Sequence, residues 1–149
     1  MNRNYFLIRV LIIYLFFISC GFAAKSNYFE QGKTLFDKRK FEKSKIFFEK
    51  DIVFNPQSEK SYLYLAKIFN EDNNDQEQEV NLTNVLLLNP QNDEAIYMLA
   101  LLKIKQSNYS KAKELIERFD LVCESFCSKK LVMQEKFDKL VPENARDNN

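Results

Sequence analysis

Asn55-Pro56-Gln57 recurs as Asn89-Pro90-Gln91, displaced by 34 residues, and the same displacement brings the chain from Tyr28 to Glu124 into phase with itself. Tyr28, Tyr62 and Ile96 share one column, and Gly32, Ala66 and Ala100 another. Phe48, Leu82 and Ile116 align, as do Phe54, Leu88 and Val122. A unit of this length cannot cover its apolar face by itself, so copies must stack and lend one another cover.

Within a unit the spacing is helical. Tyr62, Leu65, Ala66 and Phe69 stand at i, i+3, i+4 and i+7, one face of a helix. Asn73-Asn74-Asp75 then supplies turn and capping residues, and Val80 to Leu88 carries a second helix. Each Asn-Pro ends a helix, because proline lacks the backbone N–H and disfavours a helical residue before it. Only two Gly and three Pro in 149 residues agree with long helices and few turns.

These helical hairpins resemble tetratricopeptide repeats. The second unit carries Tyr62, Leu65-Ala66, Phe69, Leu82 and Pro90; the first carries Tyr28, Gly32, Phe41, Ser44, Phe48 and Pro56. The third carries Ile96, Leu99-Ala100, Tyr109, Ala112 and Ile116. Gln78 replaces the usual small residue, Lys103 the second aromatic, and Glu124 the third proline. Gln78 implies looser packing in its hairpin, and Glu124 implies that the repeats are ending. The resemblance implies an all-α, right-handed superhelical solenoid of about three hairpins over residues 28–124. A C-terminal capping helix is expected at 125–141, with the stripe Met133, Phe137 and Leu140 facing inward, and a disordered tail at 142–149.

Transferring the family's inner-surface positions one by one gives a groove of Phe29, Lys33 and Phe36 from the first unit. The second unit adds Leu63, Lys67 and Asn70, and the third adds Tyr97, Leu101 and Ile104. The third unit's first helix is then apolar on two faces and expects cover on both. Either the terminal helix or an apolar segment of a partner protein supplies the second cover, and both can hold at once. Phe29, Leu63 and Tyr97 stand where a clamp for a peptide carboxylate needs a cation, so recognition by apolar surface is implied.

The N-terminus reads as an export signal. Arg3 and Arg9 precede the apolar run Val10–Ile18, which ends at Ser19-Cys20-Gly21. Phe17-Ile18-Ser19-Cys20 resembles the bacterial lipobox, with Phe17 in place of the usual Leu. Residues 1–19 would be the signal peptide, Cys20 the lipidated first residue, and 20–27 a tether. The alternatives are cleavage after Ala23, leaving a soluble periplasmic protein, and an uncleaved anchor helix over Tyr5–Ala24. Loss of residues 1–19 removes two arginines and no acid, taking the net charge from +1 to −1. Such neutrality gives no electrostatic reason to expect nucleic acid. Lys38-Arg39-Lys40 reads as a solvated turn.

Chemistry is sparse. The absence of His removes the usual neutral-pH acid–base group and the commonest zinc ligand. No GxSxG, Walker loop, HExxH or paired CxxC occurs, and Glu71–Glu79 lacks the glycine and oxygen spacing of a calcium loop. No cofactor, metal or small-molecule substrate is expected. Cys123 and Cys127 form either a disulfide or two buried thiols; the spacing leaves both open.

The expected function is a non-catalytic protein–protein scaffold, lipid-anchored to the inner or outer membrane and facing the periplasm of a bacterial envelope. By resemblance to short repeat lipoproteins, it would be an accessory subunit of outer-membrane protein assembly or a pilotin. The rivals are an exported enzyme or enzyme subunit using a reactive Cys, and a self-associating structural module.

Overall fold

In a computed structural model, residues 27–140 are described. They form helices α1 (Tyr28–Asp37), α2 (Phe41–Phe54), α3 (Glu59–Glu71), α4 (Asp75–Leu88), α5 (Asp93–Lys105) and α6 (Tyr109–Val122). A short 3-10 turn at Cys127–Lys129 then leads into α7 (Lys130–Leu140). The signal peptide, Cys20, tether positions 21–26, the last expected residue of the capping segment (141) and the tail at 142–149 lie outside the described residues.

Helices α1 and α2, α3 and α4, and α5 and α6 pair as hairpins, and each hairpin stacks on the next through α2–α3 and α4–α5. Helix α7 lies across both α5 and α6. The result is an all-α solenoid with one exposed end closed by α7.

The turn inside each hairpin repeats with the sequence period. Arg39, Asn73 and Ser107 have φ of 55°, 55° and 59°. Each is followed by a residue whose N–H reaches back five positions: Lys40 to Leu35 (2.9 Å), Asn74 to Phe69 (2.9 Å) and Asn108 to Lys103 (2.9 Å). That pattern satisfies carbonyls left open at the end of the first helix. The following helix is capped where the sequence supplies Asn. Asn74 Oδ1 accepts from Glu77 N (3.2 Å) and Asn108 Oδ1 from Lys111 N (3.2 Å). Lys40 holds the same place before α2 and makes no side-chain cap.

The small column sets how closely paired helices approach. Ala66 and Ala100 are fully buried, and a Cβ added at Gly32 would stand 2.7 Å from the Phe48 ring. Phe48, Leu82 and Ile116 fill the facing column at 0%, 0% and 6% exposure. Buried polar groups are paired: Ser44 Oγ donates to the Gly32 carbonyl (2.7 Å), and Asp51 accepts from Ser58 and Ser61 hydroxyls (2.5 and 2.6 Å). Gln78 is buried and stands on the wall of the groove described below.

The end of the third hairpin departs from a helix expected to run from Ser125. Cys123 and Cys127 are joined in a disulfide with Cα atoms 5.2 Å apart, and neither lies in an α-helix. Asp93 Oδ2 accepts the backbone N–H groups of Glu124 (2.8 Å), Ser125 (2.6 Å) and Phe126 (2.8 Å). These donors point at a carboxylate instead of beginning a helix, so α7 starts only at Lys130.

Candidate functional site

The first helix of each hairpin, α1, α3 and α5, carries the residues assigned to the inner surface. Their environments differ sharply along the solenoid. Phe29 packs on Phe48 at 5.8 Å between ring centroids and meets Tyr64 edge-on at 5.6 Å. Phe36 meets Tyr64 edge-on at 5.0 Å and packs on Phe41 at 5.3 Å. Both phenylalanines therefore wedge Tyr64 between α1 and α3, each in an edge-to-face arrangement with it. Burial pushes the Tyr64 phenol above its ordinary pKa, with the nearby Lys33 charge opposing.

Two expected groove residues are buried, and one of them, Leu63, lies outside the groove. Leu63 is 8% exposed and Ile104 4%, both within the main core. Stacking the next hairpin covers Leu63, since it clusters with Ala95, Ile96 and Leu99 of α5. Ile104, though buried, still lines the groove.

The cationic positions are already engaged. Lys33 Nζ lies 2.9 Å from Asp37, which raises its pKa by holding the charged form. Lys67 Nζ lies 2.8 Å from Glu94 and 4.8 Å above the Tyr64 ring. Lys103 pairs with Glu79 at 2.6 Å, and Lys105 with Asp75 at 2.6 Å. Hydrogen bonds from Lys103 and Gln106 hold the Glu79 carboxyl below the usual range against some desolvation.

Between α3, α5 and α7 a groove of about 530 Å³ remains open. Asn70, Tyr97, Leu101 and Ile104 are brought together here, joined by Gln78 and Met98. The far wall is Lys136 and Leu140 of α7. Phe29, Lys33, Phe36, Leu63 and Lys67 are not part of it. Met133 and Phe137 bury α7 against the third hairpin at 0% and 6% exposure, while Leu140 stands 58% exposed at the groove's edge. Tyr97 leans on Phe119 and Phe126, at 6.3 and 5.9 Å, which links the groove floor to the disulfide loop.

Tyr64, Met98 and Lys136 stand outside the sequence columns from which the groove is expected. Tyr64 follows the Leu63 column by one residue, and that step turns the side chain about 100° around the helix. Among the described residues no group of three His, Cys, Asp or Glu stands together to hold a metal ion, and no helix is long and apolar enough to cross a membrane. The groove offers apolar contact framed by two amides, Asn70 and Gln78, and by Lys136, while Lys105 beside it is paired with Asp75.

No protein-family model and no curated protein sequence matches the chain. Solved structures do. The TPR domain of Arabidopsis OM64 superposes at a TM-score of 0.71 with 19% identity, covering 79% of this chain and 97% of that one. A chain of the CopN-Scc3 complex superposes at a TM-score of 0.64 with 12% identity, covering 81% of this chain and 71% of that one. At such identities the likeness concerns the path of the backbone. Three stacked hairpins of period 34 with a terminal helix give this chain the tetratricopeptide-repeat fold.

Proposed function

We propose that the chain is a non-catalytic protein-binding scaffold of the bacterial cell envelope, held at a membrane through its N-terminal segment. Its partner docks an apolar helix face or extended segment in the groove between α3, α5 and α7. The observation that carries this reading is the groove itself: Tyr97, Leu101 and Leu140 line it, and of its two lysines, Lys105 and Lys136, the first is paired with Asp75. An apolar ligand then gains burial without breaking solvent-exposed ion pairs. A similar fold in a protein complex, CopN-Scc3, is consistent with a protein ligand. Lipidation at Cys20 accounts for the Ser19-Cys20 sequence after the apolar run, and several acyl chains suffice for stable anchoring. Within the envelope, the role is that of an accessory subunit in outer-membrane protein assembly or of a pilotin. The rival reading with a catalytic thiol has no support from Cys123 or Cys127, which are bonded to each other.

Photo-crosslinking in intact cells tests the reading. A crosslinker at Asn70, exposed at the groove, is expected to trap a discrete protein, whereas one at Thr83 on the outer face of α4 traps none. Loss of the Asn70 adduct on Leu101→Glu places the partner in the groove. Equal labelling from both sites, or none from Asn70, contradicts the assignment. Fractionation of Cys20→Ala tests the anchor separately: release from the membrane is expected, and full retention contradicts lipidation.

A further inference from the structure

A second apolar surface lies away from the groove. Val53, Leu87 and Leu121 are 76%, 75% and 85% exposed, and they are displaced from one another by the 34-residue period. Each sits in the last turn of the second helix of its hairpin, α2, α4 or α6. Phe54 and Leu88, the next residues, are exposed as well, at 67% and 40%. Single exposed apolar residues are ordinary. The same turn exposing a large apolar side chain in all three hairpins makes a row along one rim, and stacked hairpins hold that row in line.

The first hairpin extends the row with residue types suited to a membrane interface. Tyr28 stacks on Phe54 at 5.4 Å and lies 6.4 Å from Phe47, whose ring has Lys50 Nζ 5.6 Å from its centre. Tyr and Lys place an apolar body in the acyl region and a polar tip among headgroups. Tyr28 is also where the described helices begin, so the N-terminal segment joins the molecule at this rim. A lipidated Cys20 would begin the mature chain, and an uncleaved anchor would end at Ala24. Residues 25–27 span at most about 10 Å and residues 21–27 about 25 Å, so either form of attachment keeps the Tyr28 end of this rim close to the bilayer.

We infer that this rim, formed by Tyr28, Val53, Phe54, Leu87 and Leu121, rests in the interfacial layer of a phospholipid bilayer. The inference rests on the membrane-held reading proposed above. Seating the rim orients the solenoid, with the hairpin turns at Arg39, Asn73 and Ser107 pointing away from the lipid.

The chain contains no Trp, so one introduced tryptophan reports a single place. The full chain, N-terminal segment included, is reconstituted in vesicles of phosphatidylethanolamine and phosphatidylglycerol carrying brominated acyl chains. Leu87→Trp and Leu121→Trp are compared with Gln76→Trp, which lies eleven residues before Leu87 on α4, about 16 Å away along the helix. Side chains seated in the interface are expected to be quenched by the brominated lipid about threefold more than Gln76→Trp. Equal lipid quenching at the three sites overturns the inference while flotation with the vesicles leaves the anchor intact. Protection of the rim tryptophans from both brominated lipid and aqueous acrylamide also overturns it, because a protein surface or second copy then covers the rim. Failure to float removes the anchored reading and this inference together.

Discussion

Asp93 Oδ2 accepts the Phe126 backbone N–H at 2.8 Å, across 33 residues of sequence. The bond, with its neighbours from Glu124 and Ser125, ties the start of α5 to the loop that launches α7. The Cys123–Cys127 disulfide closes that same loop. Without the carboxylate the three N–H groups lose a charged acceptor, and such bonds are each worth roughly 1.5–3 kcal/mol before solvent replaces them. Water reaches this site, so Asp93→Ala is expected to cost about 1–2 kcal/mol. Hydrogen exchange should locate the loss in α7 and the loop, with α1 to α4 unchanged. A uniform effect along the chain would contradict the clasp.

Acid should act on the same clasp. The three backbone N–H groups hold the Asp93 carboxyl below its ordinary pKa despite partial desolvation, and Lys103 does the same for Glu79. For a carboxyl depressed in the folded state, the stabilisation is complete above the unfolded pKa of about 4 and is lost as pH falls through the lower folded value. Thermal melts are therefore expected to hold level from neutrality to about pH 5 and to fall below about pH 4. Asp93→Asn should flatten part of that acid fall. An unchanged acid slope in Asp93→Asn would remove Asp93 from the account.

Gly32→Ala tests the close approach of α1 and α2. Alanine gains about 1 kcal/mol in helix propensity over glycine. Against that, its Cβ would lie 2.7 Å from the ring of fully buried Phe48, and overpacking of this kind costs about 1–3 kcal/mol. The expected outcome is a net loss of about 1 kcal/mol in denaturant unfolding. Pairing Gly32→Ala with Phe48→Leu should recover part of it. Stabilisation by Gly32→Ala alone would show that the ring has room to move.

Local repairs should stabilise the fold. Ser107 has φ of 59°, which costs an ordinary residue about 1 kcal/mol and glycine little. Lys40 leaves α2 without the side-chain cap that Asn74 gives α4. Ser107→Gly and Lys40→Asp are each expected to add about 0.5–1 kcal/mol, read as higher denaturation midpoints. A loss at Lys40→Asp would mean that the α1–α2 turn is set by something other than the missing cap.

The repeat was legible because its signals are local and recur. The two Asn-Pro stops, the Gly32/Ala66/Ala100 column and the Phe48/Leu82/Ile116 column each state a steric requirement that neighbouring residues meet. The groove was legible only at its C-terminal end, in Asn70, Tyr97, Leu101 and Ile104. Leu63 occupies the same register position as Tyr97, yet the stacking of α5 buries it; the relative tilt of hairpins is a tertiary property that a column alignment does not contain. The clasp was illegible for a related reason. Asp93 is an ordinary first-turn acid in sequence, and only folding brings it to the loop at Glu124–Phe126.

The groove between α3, α5 and α7 binds its partner chiefly through apolar contact: Lys105 is already paired with Asp75, and Lys136 alone adds a cation at the far wall. The most direct measurement is the affinity of the crosslinked partner segment, made as a peptide, for the protein at low and high salt. Raising salt from about 0.05 to 0.5 M shortens the screening length several-fold. Kd is expected to change by less than about twofold over that range, and affinity to fall about tenfold on Leu101→Glu at either salt. A steep loss of affinity with salt, together with tolerance of Leu101→Glu, would contradict it.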